Sequence, residues 1–298
     1  MKVVLFCGGF GMRLREYSDS CPKPMVQIGY RPILWHIMKY YAHFGHKDFI
    51  LCLGWKANVI KEYFLNYDEC VSNDFVLSSG GGDISLLNTD IQDWNITFVD
   101  TGPTSNIGQR LKAVEKHLCN EDAFLANYAD GLTDLYLPNL IDFFYEKNSM
   151  ATFLSVQPKY NSFHAVKTNE SGLVCDVEPI DEIGVWMNGG FFVFTPEIFE
   201  YIEKGQELVE EPFAKLIKER KLHSYKYNGF WGCMDTFKEK EILDEMFATG
   251  RAPWEVWKQS SESTESPNGS EMTGRPISLS VPEMSARRRS RPVLIKKS

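Results

Sequence analysis

The sequence predicts an α/β fold with a mostly parallel sheet flanked by helices. Three observations carry the prediction. The chain opens on a short unbroken apolar run, Val3-Val4-Leu5-Phe6-Cys7, that ends in glycines, the pattern of a buried strand. Helical spacing follows over Pro32 to Phe44, with Ile33, Ile37, Tyr40, Tyr41 and Phe44 recurring on one side. A second apolar run, Phe49 to Leu53, stops at Gly54 and gives way to another helical stretch, Val59 to Tyr67. Strand, helix, strand, helix implies crossover units, and crossovers build parallel sheets.

The elements follow in order. Pro32 suits the first turn of its helix because its missing N–H has no partner there anyway. Ser78-Ser79-Gly80-Gly81-Gly82-Asp83 reads as a turn between Phe75–Leu77 and Ile84–Leu87, a hairpin rather than a phosphate loop, since no helix follows it. Ile96–Val99 is a strand, Gly108–Leu118 a helix, and Ala123–Ala126 a buried strand running into Asn127-Tyr128-Ala129-Asp130-Gly131. Leu137–Tyr145 is helical and Ala151–Val156 a strand, with further strands at Val166, at Val174 and over Trp186–Phe194. Phe213–Ile217 belongs to a helix, Leu222–Tyr227 to a strand and Thr236–Phe247 to a helix. Past Gln259 the composition turns to Ser, Pro, Arg and Glu, so a single domain over 1–258 with a disordered tail over 259–298 is expected.

With 298 residues, 43% of them hydrophobic, the chain can bury a large core. A net charge of −8 argues against general nucleic-acid binding. The opening apolar run is too short for a secretory leader, and no run reaches the roughly 18 apolar residues of a membrane span. Seven scattered cysteines, none in a C-x-x-C pair, favour reduced thiols in a cytoplasmic protein. His36, His43 and His46 match no metal spacing and are expected on a surface or interface helix.

The glycine turn after the first strand carries the chemistry. Its spacing, G-G-x-G-x-R, is neither the dinucleotide fingerprint nor a Walker loop. Glycines let backbone N–H groups approach phosphate oxygens, and Arg13 and Lys23 add positive charge to the same anion site. A nicotinamide site is disfavoured, because the spacing is wrong and no acidic residue follows the second strand.

Gly8-Gly9-Phe10-Gly11-Met12-Arg13-Leu14 followed by Lys23-Pro24-Met25 resembles the entry motif of the sugar-1-phosphate nucleotidyltransferases. Within that family, Gly29 to His36, Val59 to Phe64, Val99-Asp100-Thr101-Gly102, Asn188-Gly189-Gly190 and Met234-Asp235-Thr236 look most like glucose-1-phosphate cytidylyltransferases. Ala252-Pro253-Trp254 extends the resemblance to about Trp257.

The resemblance implies a Rossmann-like, mixed, mostly parallel sheet of the nucleotide-diphospho-sugar transferase type. It also implies transfer from CTP to a sugar 1-phosphate, with Mg²⁺ as cofactor, in a homo-oligomer without membrane or nucleic-acid partners. Arg13 and Lys23 would be catalytic. Phe6, Cys7, Gly8, Gly9, Phe10, Gly11, Met12, Ser105, Arg110 and Ala129 would bind the nucleotide, and Asp130 and Asp235 the metal. His164, Glu178, Asn188 and Gly189 would face the sugar phosphate.

Departures from the family pattern gather on the sugar side. His164 stands where glucose-specific relatives carry glycine, and Val177-Glu178-Pro179 lacks the lysine of their Glu-Lys-Pro. A carboxylate there would repel a phosphate unless another cation intervenes. On the nucleotide side, Ile107 replaces a threonine and Gln109 a glycine. A different sugar or triphosphate, or a nucleotide-binding subunit without turnover, are the competing readings.

Overall fold

The structure is a computed structural model that describes residues 1–9, 21–158, 164–180, 182–258 and 277–280. Strand β1 (Val3–Phe6) is followed by a small ribbon of β2 (Gln27–Ile28) and β3 (Arg31–Pro32), then helix α1 (Ile33–His43), β4 (Asp48–Leu53) and α2 (Ala57–Leu65). Next come β5 (Phe75–Ser78), β6 (Asp83–Leu86), β7 (Asn95–Asp100), α3 (Ile107–Ala113), β8 (Phe124–Tyr128) and β9 (Gly131–Thr133). Helix α4 (Leu137–Glu146) leads to β10 (Ala151–Val156), β11 (His164–Thr168), β12 (Val174–Pro179), β13 (Met187–Asn188) and β14 (Phe192–Phe194). The chain continues with α5 (Glu211–Lys218), β15 (Leu222–Tyr227), β16 (Trp231–Cys233), α6 (Phe237–Ala248) and β17 (Ile277–Ser280).

Eight strands form the central sheet in the order β15-β10-β13/β14-β8-β1-β4-β7. β8, β1, β4 and β7 are mutually parallel, β10 and β15 are parallel, and β14 runs antiparallel between β8 and β10. The expected mixed, mostly parallel sheet is therefore present. Both its faces are covered. Val3 and Leu5 enter one core with Ile33, Ile37 and Tyr41 of α1, while Val4 and Phe6 enter a second with Leu111 and Phe213. That is why β1 reads as an unbroken apolar run rather than an alternating one.

From β1 the chain crosses to β4 and β7 on one side, then returns to lay β8 on the other. The C-terminal ends of β1 and β8 thus flank the point where the strand order reverses, the crevice where open α/β sheets bind ligands.

Four differences from the expected elements have physical causes. Pro32 is extended (φ −66°, ψ 150°) and caps α1 from outside, because it pairs with Gln27 in the β2–β3 ribbon. Helix α3 ends at Ala113, and its last turn tightens into a 3₁₀ segment over Glu115–His117. The apolar run Trp186–Phe194 is two strands, not one. Gly190 (φ +75°) and Phe191 (φ +49°) break it, and a Cβ at Gly190 would lie 2.5 Å from the Asn127 Oδ1 that accepts the Phe191 N–H. Within the segment expected to be an unstructured tail, Ile277–Ser280 pairs antiparallel with β6, its Ile-Ser-Leu-Ser alternation suiting a strand.

The chain divides into two compact units: Met1–Tyr67 with Asp93–Pro267, and Asp68–Gln92 with Asn268–Ser298. The second contains β5, β6 and β17, with the expected turn at Ser79–Gly81 joining β5 to β6.

His36 is not on a surface. It is 1% exposed, Trp254 Nε1 donates to its Nδ1 (3.4 Å), and its Nε2 lies 3.1 Å from the Ile28 carbonyl. This network assigns the neutral tautomer with the proton on Nε2. Burial pushes its pKa down to about 4. His43 is exposed and His46 half-buried, and no three His, Cys, Asp or Glu side chains form a metal cage among the described residues.

Candidate active site

The β9–β16 ribbon brings two distant aspartates together. Asp130 directly precedes β9 and Asp235 lies two residues past β16. Because the strands run antiparallel with Cys233 opposite Gly131, both residues emerge at the same end. The other end is fastened by Asp134, which accepts from the Phe230 N–H (2.8 Å) and the Tyr227 hydroxyl, and by Thr133 Oγ1, which donates to the Phe230 carbonyl (2.7 Å). On the Asp235 side, the carboxylate of Glu239 accepts from the N–H groups of Asp235 and Thr236 (2.8 Å each), closing a capping box on α6.

Lys23 completes the cluster. It starts a 3₁₀ turn between Pro22 and Val26, and its Nζ donates to both Asp130 and Asp235. The side chain is 13% exposed. Burial opposes its charge, yet the two carboxylates outweigh burial and raise its pKa above the ordinary lysine value.

This cluster lines a cavity of about 390 Å³ outside the C-terminal ends of β1 and β8. Phe6, Cys7, Gly9, Ser105, Arg110 and Ala129 line it as well. Burial raises the Cys7 thiol's pKa, so it stays protonated at neutral pH. Tyr128, also lining it, accepts from Asn188 Nδ2 (3.2 Å); burial, with smaller contributions from Glu207 and Asp130, pushes its phenol up to about 12. A second cavity of about 290 Å³ is lined by Asn188, Trp231, Gly232 and Asp235 among others. Asp235 is common to both.

The recurring sequence pattern described as nucleotidyl transferase matches residues 2–244. The chain belongs to the nucleotidyl transferase family. It is 39% identical to the glucose-1-phosphate cytidylyltransferase of Salmonella typhimurium (strain LT2) over 259 residues, 87% of this chain and 100% of that one. It is 38% identical to the Bacillus subtilis protein named "Probable glucose-1-phosphate cytidylyltransferase" over 86% of this chain and 100% of that one. In fold it is similar to the solved structure of a UDP-glucose pyrophosphorylase complexed with UDP-glucose, with a TM-score of 0.60 at 14% identity over 84% of this chain and 99% of that chain.

In this nucleotidyl transferase, the site residues named from sequence divide into four groups. Lys23, Asp130 and Asp235 meet, with Phe6, Cys7, Gly9, Ser105, Arg110 and Ala129 around the same cavity. Phe10, Gly11, Met12 and Arg13 lie outside the described residues. His164 and Glu178 line neither cavity. They pair across the β11–β12 ribbon, His164 opposite Pro179 and Ala165 opposite Glu178, and Lys167 Nζ donates to Glu178 (3.2 Å) and Asp176 (3.1 Å). The cation that offsets this carboxylate is thus Lys167. Asn188 lines the second cavity, and the Gly189 carbonyl accepts from Trp231 Nε1 (2.9 Å).

Arg110 lines the cavity but is 2% exposed and donates inward. Nη1 donates to Thr101 Oγ1 (2.7 Å) and to the carbonyls of Gly102 (2.9 Å) and Leu53 (3.3 Å); Nη2 donates to those of Gly8 (2.9 Å) and Pro103 (3.4 Å). It clips the loops after β1, β4 and β7 together. Gly8 must be glycine for this, since a Cβ there would lie 1.8 Å from Arg110 Nη1. Sequence reasoning missed Pro24, Asn106, Tyr128 and Glu207 as lining residues. Asn106 and Tyr128 are neighbours of residues the sequence did mark, whereas Glu207 comes from a segment that no motif marks.

Proposed function

We propose that the protein transfers a cytidylyl group from CTP to a hexose 1-phosphate, with α-D-glucose 1-phosphate as first candidate, giving CDP-glucose and pyrophosphate. The observation that carries the reading is the Lys23–Asp130–Asp235 cluster, which lines the cavity at the strand-order reversal and reaches a second cavity through Asp235. The names of the relatives at 38–39% identity support cytidine and glucose over other members of the family.

Attack by a phosphate oxygen of the sugar on the α-phosphorus brings two anions together, so positioning and charge neutralisation dominate catalysis. Lys23 donates toward the α-phosphate, where negative charge develops as pyrophosphate departs. Backbone N–H groups after β1 hold the triphosphate. No side chain needs to act as general base, because a sugar phosphate is already ionised at neutral pH. Asp130 and Asp235 offer two carboxylates beside an opening for phosphate and water oxygens, a donor set that fits Mg²⁺. When bound there, the ion would neutralise phosphate charge and polarise the reacting phosphoryl group.

The test incubates purified protein and Mg²⁺ with each of CTP, UTP, dTTP and GTP and a panel of hexose 1-phosphates, and measures pyrophosphate. CTP with α-D-glucose 1-phosphate should turn over fastest, and EDTA should abolish it. Turnover only with another triphosphate would refute the cytidylyl assignment, and turnover only with another sugar would refute the glucose assignment.

A further inference from the structure

The cavity that Lys23 lines is also walled by a group of different character, Ser105, Asn106 and Ile107 at the start of α3 with Glu207. Three features draw the 205–208 segment onto that wall. Asn106 Nδ2 donates to the Gly205 carbonyl (3.0 Å), and the Ile107 N–H donates to Glu207 Oε2 (3.4 Å). Gly108 makes room, since a Cβ there would lie 2.4 Å from the Gln206 carbonyl oxygen. Glu207 Oε1 accepts from the Leu208 N–H (3.0 Å). About two of the carboxylate's four lone-pair sites are therefore left, and among the described residues no lysine or arginine forms an ion pair with it.

Around Glu207 the carboxylate and the Ser105 hydroxyl offer acceptor capacity. Ser105 Oγ gives its proton to the Thr101 carbonyl and keeps its lone pairs. Asn106 Oδ1 accepts from the Gln109 N–H (2.9 Å) as the cap of α3, and its Nδ2 gives one hydrogen to the Gly205 carbonyl. A triphosphate cannot settle against an uncompensated carboxylate, so its phosphates belong beside Lys23 and its base beside Glu207.

The two pyrimidines differ where such an acceptor matters. Cytosine carries an amino group at position 4, a donor; uracil and thymine carry an oxygen there, an acceptor. We infer that Glu207, assisted by Ser105, reads the pyrimidine by accepting a hydrogen bond from the 4-amino group of cytosine, and that it disfavours uracil and thymine by setting a carboxylate against their 4-oxygen. This rests on the cytidylyl reading above and adds the residues that enforce it. A site built to accept from a substrate N–H discriminates strongly against the analogue lacking it, because its own polar group is then left unpaired.

The test is kcat/KM for CTP and for UTP, with α-D-glucose 1-phosphate and Mg²⁺, in the wild type, Glu207→Gln and Ser105→Ala. Glu207→Gln should lower the CTP/UTP ratio by about tenfold to a hundredfold, since the amide can donate to the 4-oxygen and the charge-assisted bond to cytosine is gone. Ser105→Ala should lower the ratio less. A merely structural role would depress both substrates alike and leave the ratio unchanged. A Glu207→Gln ratio within about twofold of wild type overturns the inference. If that variant fails to fold, Glu207→Asp, which retracts the carboxylate by one methylene, is measured in the same way, and an unchanged ratio again overturns it. A wild type that prefers UTP would refute the cytidylyl reading itself. A CTP-selective wild type with an unaltered variant would refute only the role of Glu207.

Discussion

Lys23 shows how far single residues can be read from sequence. Its place ten residues after Arg13 in a family motif named it, and the structure sets it between Asp130 and Asp235. Lys23→Ala should lower kcat by about 10²–10³ with little change in melting temperature, the usual cost of removing one donor aimed at developing charge. Its raised pKa fixes the sign of its pH behaviour. The contribution of its ion pairs is complete below the unfolded lysine pKa of about 10.4 and fades only above it, so Lys23 adds no alkaline limb to activity below about pH 10. Arg110 was legible as a lining position, but its part in clipping loops together was not, because four of its five acceptors are backbone carbonyls, which leave no trace in residue identity. His36 reverses its expected placement. Folded, it titrates near 4; unfolded, near 6.5. The unfolded chain binds a proton that the folded chain refuses between those values, so stability is full above about pH 6.5 and falls as pH drops toward 4. His46, pushed down to about 4 by burial and by the N-terminal amine, adds to the same window. His36→Gln should therefore flatten part of the decline in thermal melts across pH 6.5 to 4, while lowering stability at pH 7.

Among the elements, the β9–β16 ribbon matters most for the site and was the least visible beforehand. Three residues per strand give no period to detect, and neither Gly131–Thr133 nor Trp231–Cys233 was expected as a strand. The long buried strands β1, β4, β8 and β10 were visible because burial on both faces leaves an uninterrupted apolar run. The same rule misled at Trp186–Phe194, where an apolar run hides the kink at Gly190 and Phe191. On the sugar side, His164 and Glu178 were chosen by alignment to a motif, but their ribbon lines neither cavity. Helix α6 contributes through its first turn, where Glu239 holds the backbone of Asp235 in place. On the proposed Mg²⁺ role of Asp235, Glu239→Ala should raise the Mg²⁺ concentration for half-maximal turnover by about tenfold, in line with the loss of a group that orients a metal ligand. A magnesium titration of initial rates reads this directly, and an unchanged midpoint would remove Glu239 from the positioning role.

At the scale of the whole molecule, the family resemblance reached to Trp257, and the core ends in the same place. Trp254 is fully buried against His36 and Phe230, so it ties the last turns of the chain to α1. Trp254→Ala should cost about 3–5 kcal/mol in denaturant unfolding, whereas removing residues 259–298 should leave turnover within about twofold of the full chain. Loss of turnover in that truncation would mean the tail takes part in the site. The contacts of Lys23 with Asp130 and Asp235 span 107 and 212 residues of sequence. During synthesis, β1, β4, β7 and β8 are all available once Tyr128 has been added, long before β16 exists. Such distant pairings form slowly and late. The second carboxylate therefore joins Lys23 and Asp130 only once β16 has paired with β9, so the charged cluster is the last part of the cavity to be completed.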